Sequence, residues 1–356
     1  MKRTVLFLSL IIAITFAACK KKETPQPAPQ PADRGLFILN EGTFTYANSS
    51  LSYYDFATNT VENNLFFRVN NAPIGDVGQS LTLIGDDLYI VVNNSKYIYK
   101  VDAKTIVYKA KIEGFTSPRY MLQVSADKAY VTDLVSTGLW VLNLNTLEKT
   151  FVETGNTTEA IVKVGNEVFV SNWSNYYTTT ETSNHSIQVI DCVNDTLVET
   201  IDVAQEPNSM VVDKYNHIWV SCSGGYMPPQ DPAIICIDAA THQIIKRFDL
   251  ASGTDYPSYL TIDGAGENIF FMNGGYGTLN IYKMSVDASE IPETPFIPSE
   301  GRWFYNIKIN MQNDDIYLTM IPEEPTQNGK LLRYTSDGTL VGDFEVGIFP
   351  SYMLFN

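Results

Sequence analysis

Residues 79–114 read QSLTLIGDDLYIVVNNSKYIYKVDAKTIVYKAKIEG, four short β-rich segments divided by breaks at Gly85-Asp86, at Asn93-Asn94 and after Asp102. Val, Ile, Leu and Tyr crowd the segments while Gly, Asp and Asn crowd the breaks, as pleated strands and tight turns require. One such meander cannot bury its own apolar faces, so it calls for stacked copies of itself.

The copies follow along the chain. YMLQVSADKAYVTD with GLWVLNLNT, AIVKVGNEVFVSN with SIQVIDCVNDT, and SMVVDKYNHIWVSC with IICIDAATHQIIKRFDL repeat the phrase, and two further units begin YLTIDGAGENIFFMNGG and FYNIKINMQNDDIYLTM. Starts fall near Gln79, Ser117, Thr157, Glu206, Tyr256 and Arg302, roughly 38 to 50 residues apart, a period that suits four-stranded propeller blades. No helical apolar spacing is sustained anywhere, which removes an α/β alternative. Residues 35–66 hold GLFILNEG, LSYYDFATNT and VENNLF, the second, third and fourth strands of a unit without its first. The missing strand is supplied by PSYMLF at 350–355, which repeats the form of PSYL at 257–260. The expected fold is therefore all-β, a seven-bladed β-propeller of four-stranded blades over residues 35–356, with a C-terminal strand completing the N-terminal blade. Asp55, Asp102, Asp191 and Asp238 recur at the ends of third strands, where they are expected to cap turns.

Ahead of this body, Lys2 and Arg3 precede an apolar run from Val5 to Phe16 and then Ala17-Ala18-Cys19. That is a signal peptide over 1–18, its run too short to span a bilayer. The cleavage site resembles a bacterial lipobox, which makes Cys19 the lipidated residue, and acyl chains there hold a protein at a membrane. Residues 19–34, with their alternating prolines, read as an extended solvated tether. The formal charge of −16 and only three histidines argue against a phosphate-binding surface, so no nucleic-acid partner is expected. Cys192, Cys222 and Cys236 allow at most one bridge and match no zinc spacing. Cys192 and Cys236 are expected buried and free, Cys222 more exposed.

In a propeller, the loops between second and third strands share a face with the starts of the first strands. That face collects amides, phenols and indoles, which suits a large polar organic ligand. Trp173, Tyr176, Tyr226, Tyr276 and Trp303, with Phe44 and Tyr97, are expected to cover its apolar portions. Asn40, Asn93, Asn172, Asn208, Arg119 and Arg302 are expected to select polar groups and any phosphate. No metal and no catalytic residue is expected; a metal-dependent hydrolase or lactonase would have to draw on Glu41, Glu159 and Asn208. The sequence carries no G-x-S-x-G, H-E-x-x-H, Walker or dinucleotide motif, so binding is favoured over catalysis. A glycan- or protein-binding propeller would use the same aromatic rim.

The anchored start, LFILNEGTF at 36–44, IGDVGQSLTLIGDDLYIVVNNSKYIYKVD at 74–102 and the NHL- and YncE-like repeats resemble the surface lipoproteins of gut Bacteroidetes. Within these, the chain is similar to the cobalamin-binding seven-bladed propellers. The resemblance implies a protein on the outer membrane, facing the cell exterior, that captures cobalamin (vitamin B12) or a related corrinoid. It implies delivery of that ligand to a TonB-dependent transporter, with no cofactor of its own.

Overall fold

The computed structural model describes residues 35–174, 184–225, 231–275, 277–324 and 326–356. The leader, the tether with Cys19, and the rim residues Tyr176, Tyr226 and Tyr276 lie outside the described residues.

Among the described residues there are seven antiparallel sheets, six of four strands and one of three. Their inner strands are Pro350–Phe355 in the first blade, then Gly78–Ile84, Pro118–Gln123, Ile161–Val164, Pro207–Val212, Ser258–Ile262 and Trp303–Ile309. Each packs beside the next and the seventh beside the first, which closes the ring around a central channel. Closure is made as the sequence predicts: Pro350–Phe355 pairs with Gly35–Asn40, matching Ile38 to Met353 and Leu36 to Phe355.

The core lies in the seams between blades. Phe37, Leu39, Leu81, Leu88 and Ile90 fill the first seam, and the second-strand residue that pairs with the inner-strand place of Thr82 is aromatic in every blade. Those aromatics are Phe37, Tyr89, Tyr130, Phe169, Trp219, Phe270 and Tyr317, all buried. Asp55, Asp102, Asp191 and Asp238 cap their turns, for example by accepting Ala57 N–H at 2.7 Å and Ala240 N–H at 2.8 Å.

Three details depart from expectation. VENNLF does not form a whole fourth strand; only Thr60–Glu62 pairs, and the chain turns at left-handed Asn64 into a helix, Leu65–Asn70. Leu65 and Phe66 are drawn into the first seam, and that burial sets the helix. In the sixth blade the fourth strand is replaced by a strap that touches the sheet through one bridge, Ile281 to Ile297. Pro292, Pro295 and Pro298 remove the N–H groups a ladder would need, while Phe296 and Ile297 still pack inward. Cys222 is fully buried rather than exposed; like Cys192 and Cys236 it is a free thiol.

Candidate functional site

Every inner strand begins with a β-bulge. In six blades the register slips there, as between Gly78 and Ser80 or between Pro207 and Ser209. In the fourth blade Glu159 N–H bonds the Ser171 carbonyl at 2.8 Å and Ser171 N–H bonds that of Ala160 at 2.9 Å, two residues against one. A bulge re-aims a side chain and sharpens local twist. The re-aimed residues are Gln79, Arg119, Glu159, Asn208, Tyr305 and Ser351; in the remaining blade Ser258 stays paired with Met272 and the slip falls at Tyr259, while Tyr120 and Tyr352 directly follow the slip residues of their own blades.

Equivalent positions that face repeat packing are alike. The place of Leu81, for instance, holds Met121, Ile161, Met210, Leu260, Ile307 and Met353. The bulge positions share no one residue type and mix amide, charged, hydroxyl and phenol groups, so what they face is not the repeat.

The bulge backbone is held under strain. Val77, Glu206 and Phe349, each just ahead of an inner strand, are left-handed at φ 61, 57 and 51. The reason is local: their carbonyls accept the N–H of Asn93, Ser223 and Glu41, which leave the second strand of the same blade. Strain of this kind persists only where surrounding bonds over-determine it.

Arg119 and Glu159 form a two-pronged ion pair, both contacts 2.7 Å, and Arg119 also donates to Gln79 Oε1. Burial alone would pull the guanidinium pKa down, but the charge and hydrogen bonds of Glu159 outweigh it and hold it up. The Trp173 ring stands 5.7 Å from the guanidinium carbon. Across the mouth, Tyr305 donates to Glu41 Oε2 at 2.9 Å, joining seventh blade to first. Burial raises the Glu41 pKa; the Tyr305 bond and Arg119 only partly offset it. Burial also pushes the phenols of Tyr259 and Tyr352 up to about 12. Tyr120 and Tyr352 rings lie 6.2 Å apart, so the throat below the ion pair is narrow and phenolic.

The native state thus holds the Glu41 proton more tightly than the unfolded chain does. By linkage, stability falls as pH rises from the unfolded pKa through the folded one. Glu41→Gln is expected to be more stable than wild type at about pH 7 and equal to it at about pH 3.5. Urea unfolding at the two pH values reads this; a less stable variant at neutral pH would mean that the Tyr305 bond outweighs burial.

Several predicted contacts are used internally. Asn40 and Asn172 are fully buried; Asn40 ties Ser50, Ser52 and Gly347 together, and Asn172 bonds Thr157. Both close the second-strand loops and cannot meet a ligand as they stand. Asn93 donates to Ser117 and Pro118, and Asn208 donates to Pro257 while its Oδ1 accepts from Ser209 and Ser221. Tyr97 donates to the Ile74 carbonyl at 2.7 Å, and Arg302 is held by Ser299, Pro298 and Tyr334. The conditional metal set is not assembled: Glu159 oxygens serve Arg119, Asn208 Oδ1 serves two hydroxyls, and Glu41 serves Tyr305. Asp213, His217 and Cys236 do lie within 4.8 Å of one another. The Asp213 carboxylate, however, accepts two backbone N–H groups and Trp219 Nε1, which makes it a turn cap.

Trp173 remains beside the mouth, Trp303 packs near Gly277, and Phe44 is 65% exposed on the rim. Gln79, Tyr120, Tyr259, Tyr305 and Tyr352 are placed on this face by the sequence as first-strand starts, but were not among the expected ligand contacts. For Tyr120, Tyr259 and Tyr352 the signal is the recurring PRY and PSY at inner-strand starts.

A sequence profile described as "Domain of unknown function (DUF5074)" matches residues 34–356. The chain belongs to the DUF5074 family. No curated protein matches it. This DUF5074 propeller is similar in fold to a quinonprotein alcohol dehydrogenase-like protein of Bacteroides thetaiotaomicron, at TM-score 0.70 and 17% identity over 90% of this chain and 78% of that one. It is similar also to a Lactobacillus plantarum protein, at TM-score 0.66 and 13% identity over 91% and 99% of the two chains. Hydrazine synthase of Kuenenia stuttgartiensis matches at TM-score 0.62 and 13% identity, over 77% and 88%. Identities this low speak to the DUF5074 fold alone.

Proposed function

We propose that this DUF5074 protein is a lipid-anchored outer-membrane protein, facing the cell exterior, that captures a large polar organic ligand non-covalently at the channel mouth. A corrinoid such as cobalamin is the first candidate, for delivery to a TonB-dependent transporter. The supporting observation is the ring of bulges, which turns a chemically mixed set of side chains, amide, charged, hydroxyl and phenol, out of seven like blades. A rigid scaffold presenting Trp173, Tyr305 and the throat phenols offers apolar faces, while Gln79 and Glu41 offer polar edges, the mix that small-molecule sites use. Corrinoids match it with a broad ring edged by amides. Capture rather than hydrolysis is favoured because the mouth carboxylates already accept donors from Arg119 and Tyr305.

Equilibrium dialysis of cyanocobalamin against wild type, Trp173→Ala and Tyr305→Phe tests the placement. Aromatic anchors carry most of the affinity at such sites, so Trp173→Ala is expected to weaken binding by about tenfold or more, with an unchanged unfolding temperature. Tyr305→Phe, which frees Glu41, is expected to weaken it less. Equal affinity in all three proteins would move the site off the mouth.

A further inference from the structure

Lys308 lies in the lower half of the channel wall. In its strand, Trp303–Ile309, it pairs with Tyr317, as Thr82 pairs with Tyr89 in the second blade. The same register place is Leu122, Val162, Val211, Thr261 and Leu354 in the other blades, aliphatic or hydroxylic throughout. At this place Thr82 Oγ1 donates to the Met121 carbonyl of the neighbouring inner strand at 2.7 Å, which sets the side chain against the channel wall. Lys308 is deep in the molecule yet keeps partial exposure, as a channel-facing residue must.

Its ammonium has no partner among the described residues. Other inward cations do: Arg119 has Glu159, Arg333 has Asp315, Lys100 has Asp87, and Lys246 has the carbonyls of Val286 and Ala288. Burial lowers the Lys308 pKa and no neighbouring charge opposes it. A charge taken from water without a counter-charge is costly, which is why buried charges are paired.

The surrounding charge is equally one-sided. The seven inner strands carry Arg119, Lys163 and Lys308 and no carboxylate; Glu159, just ahead of its strand, neutralises Arg119. In a chain of formal charge −16, Lys308 therefore meets no inner-strand carboxylate, while Lys163 stands one register place further on, on the alternate face of its strand. Two residues nearer the mouth, about 7 Å along the strands, Tyr120, Tyr259 and Tyr352 bring hydroxyls that donate to no protein acceptor among the described residues.

We propose that the channel holds a small oxyanion, of phosphate or carboxylate type, with Lys308 as its counter-charge. The site is independent of any ligand at the mouth and stands or falls separately from the corrinoid reading.

The test is thermal unfolding of the full mature chain at constant ionic strength, titrated with inorganic phosphate and, in a second arm, acetate. Wild type and Lys308→Arg are expected to show a saturable rise in unfolding temperature with at least one anion, and the arm that responds assigns the oxyanion type. Lys308→Met is expected to lose the response, with half-saturation at least tenfold weaker, and to be more stable than wild type in anion-free buffer. Lys163→Met is expected to keep it. Should Lys308→Met fail to fold, the Lys308 ε-carbon resonance of wild type, titrated over pH with and without each anion, reads the same contact as an anion-dependent rise in pKa. An identical response in wild type and Lys308→Met, no saturable response to either anion, or an unmoved Lys308 titration would overturn the proposal.

Discussion

Ending the chain at Phe349 is expected to abolish the cooperative unfolding transition. The lost segment supplies the whole inner strand of the first blade, so Gly35–Asn40 would keep only one partner strand. Met353, 1% exposed, packs with Leu36, Ile38, Tyr54 and Tyr317, and Tyr352 and Leu354 pack into the next seam. Asn306 would also lose the Ser351 carbonyl that ties the seventh blade to the first. Truncating one such buried side chain costs about 2–5 kcal/mol, and a whole domain holds only about 5–15 kcal/mol, so removing the strand exceeds what is available. The expected result is loss of a sigmoidal thermal transition in the near-ultraviolet, with Met353→Ala falling between this and wild type. A truncated chain that melts like wild type would mean that closure is not carried by the C-terminal strand.

The second large effect is at the mouth. Glu159 is 4% exposed and Arg119 13% in their side chains, so neither charge has water to fall back on. Arg119→Met is expected to destabilise by about 3–5 kcal/mol, because it strands a buried carboxylate rather than because the pair is strongly stabilising in itself. Adding Glu159→Met should recover much of the loss, which a double-mutant cycle in urea resolves. If the two losses simply add, the pair is solvated and the mouth is wetter than its burial implies.

Blade number was readable because two independent signals agree: the recurrence of a meander, and a PSYMLF strand at 350–355 left over at one end where 35–66 lacks one at the other. The sixth blade was harder, since its third strand Asn280–Ser285 reads like any other and only the later prolines deny it a partner. The site was half legible. Second-strand ends such as Asn40 and Asn172 do adjoin the rim, but composition cannot tell an amide that knits a loop from one offered to a ligand. The throat tyrosines were legible as first-strand starts on this face, but not their depth or aim. An extra residue at each bulge breaks the two-residue alternation, so Tyr120, Tyr259 and Tyr352 fall out of phase with any simple inside-outside pattern.

Those same bulges make the mouth the place where the repeat gives way to something specific. Isothermal titration of cyanocobalamin into the full mature chain asks whether that something is a corrinoid. The prediction is saturable binding at one site per chain, tighter than the high-micromolar range; the absence of heat and of saturation across that range would contradict it.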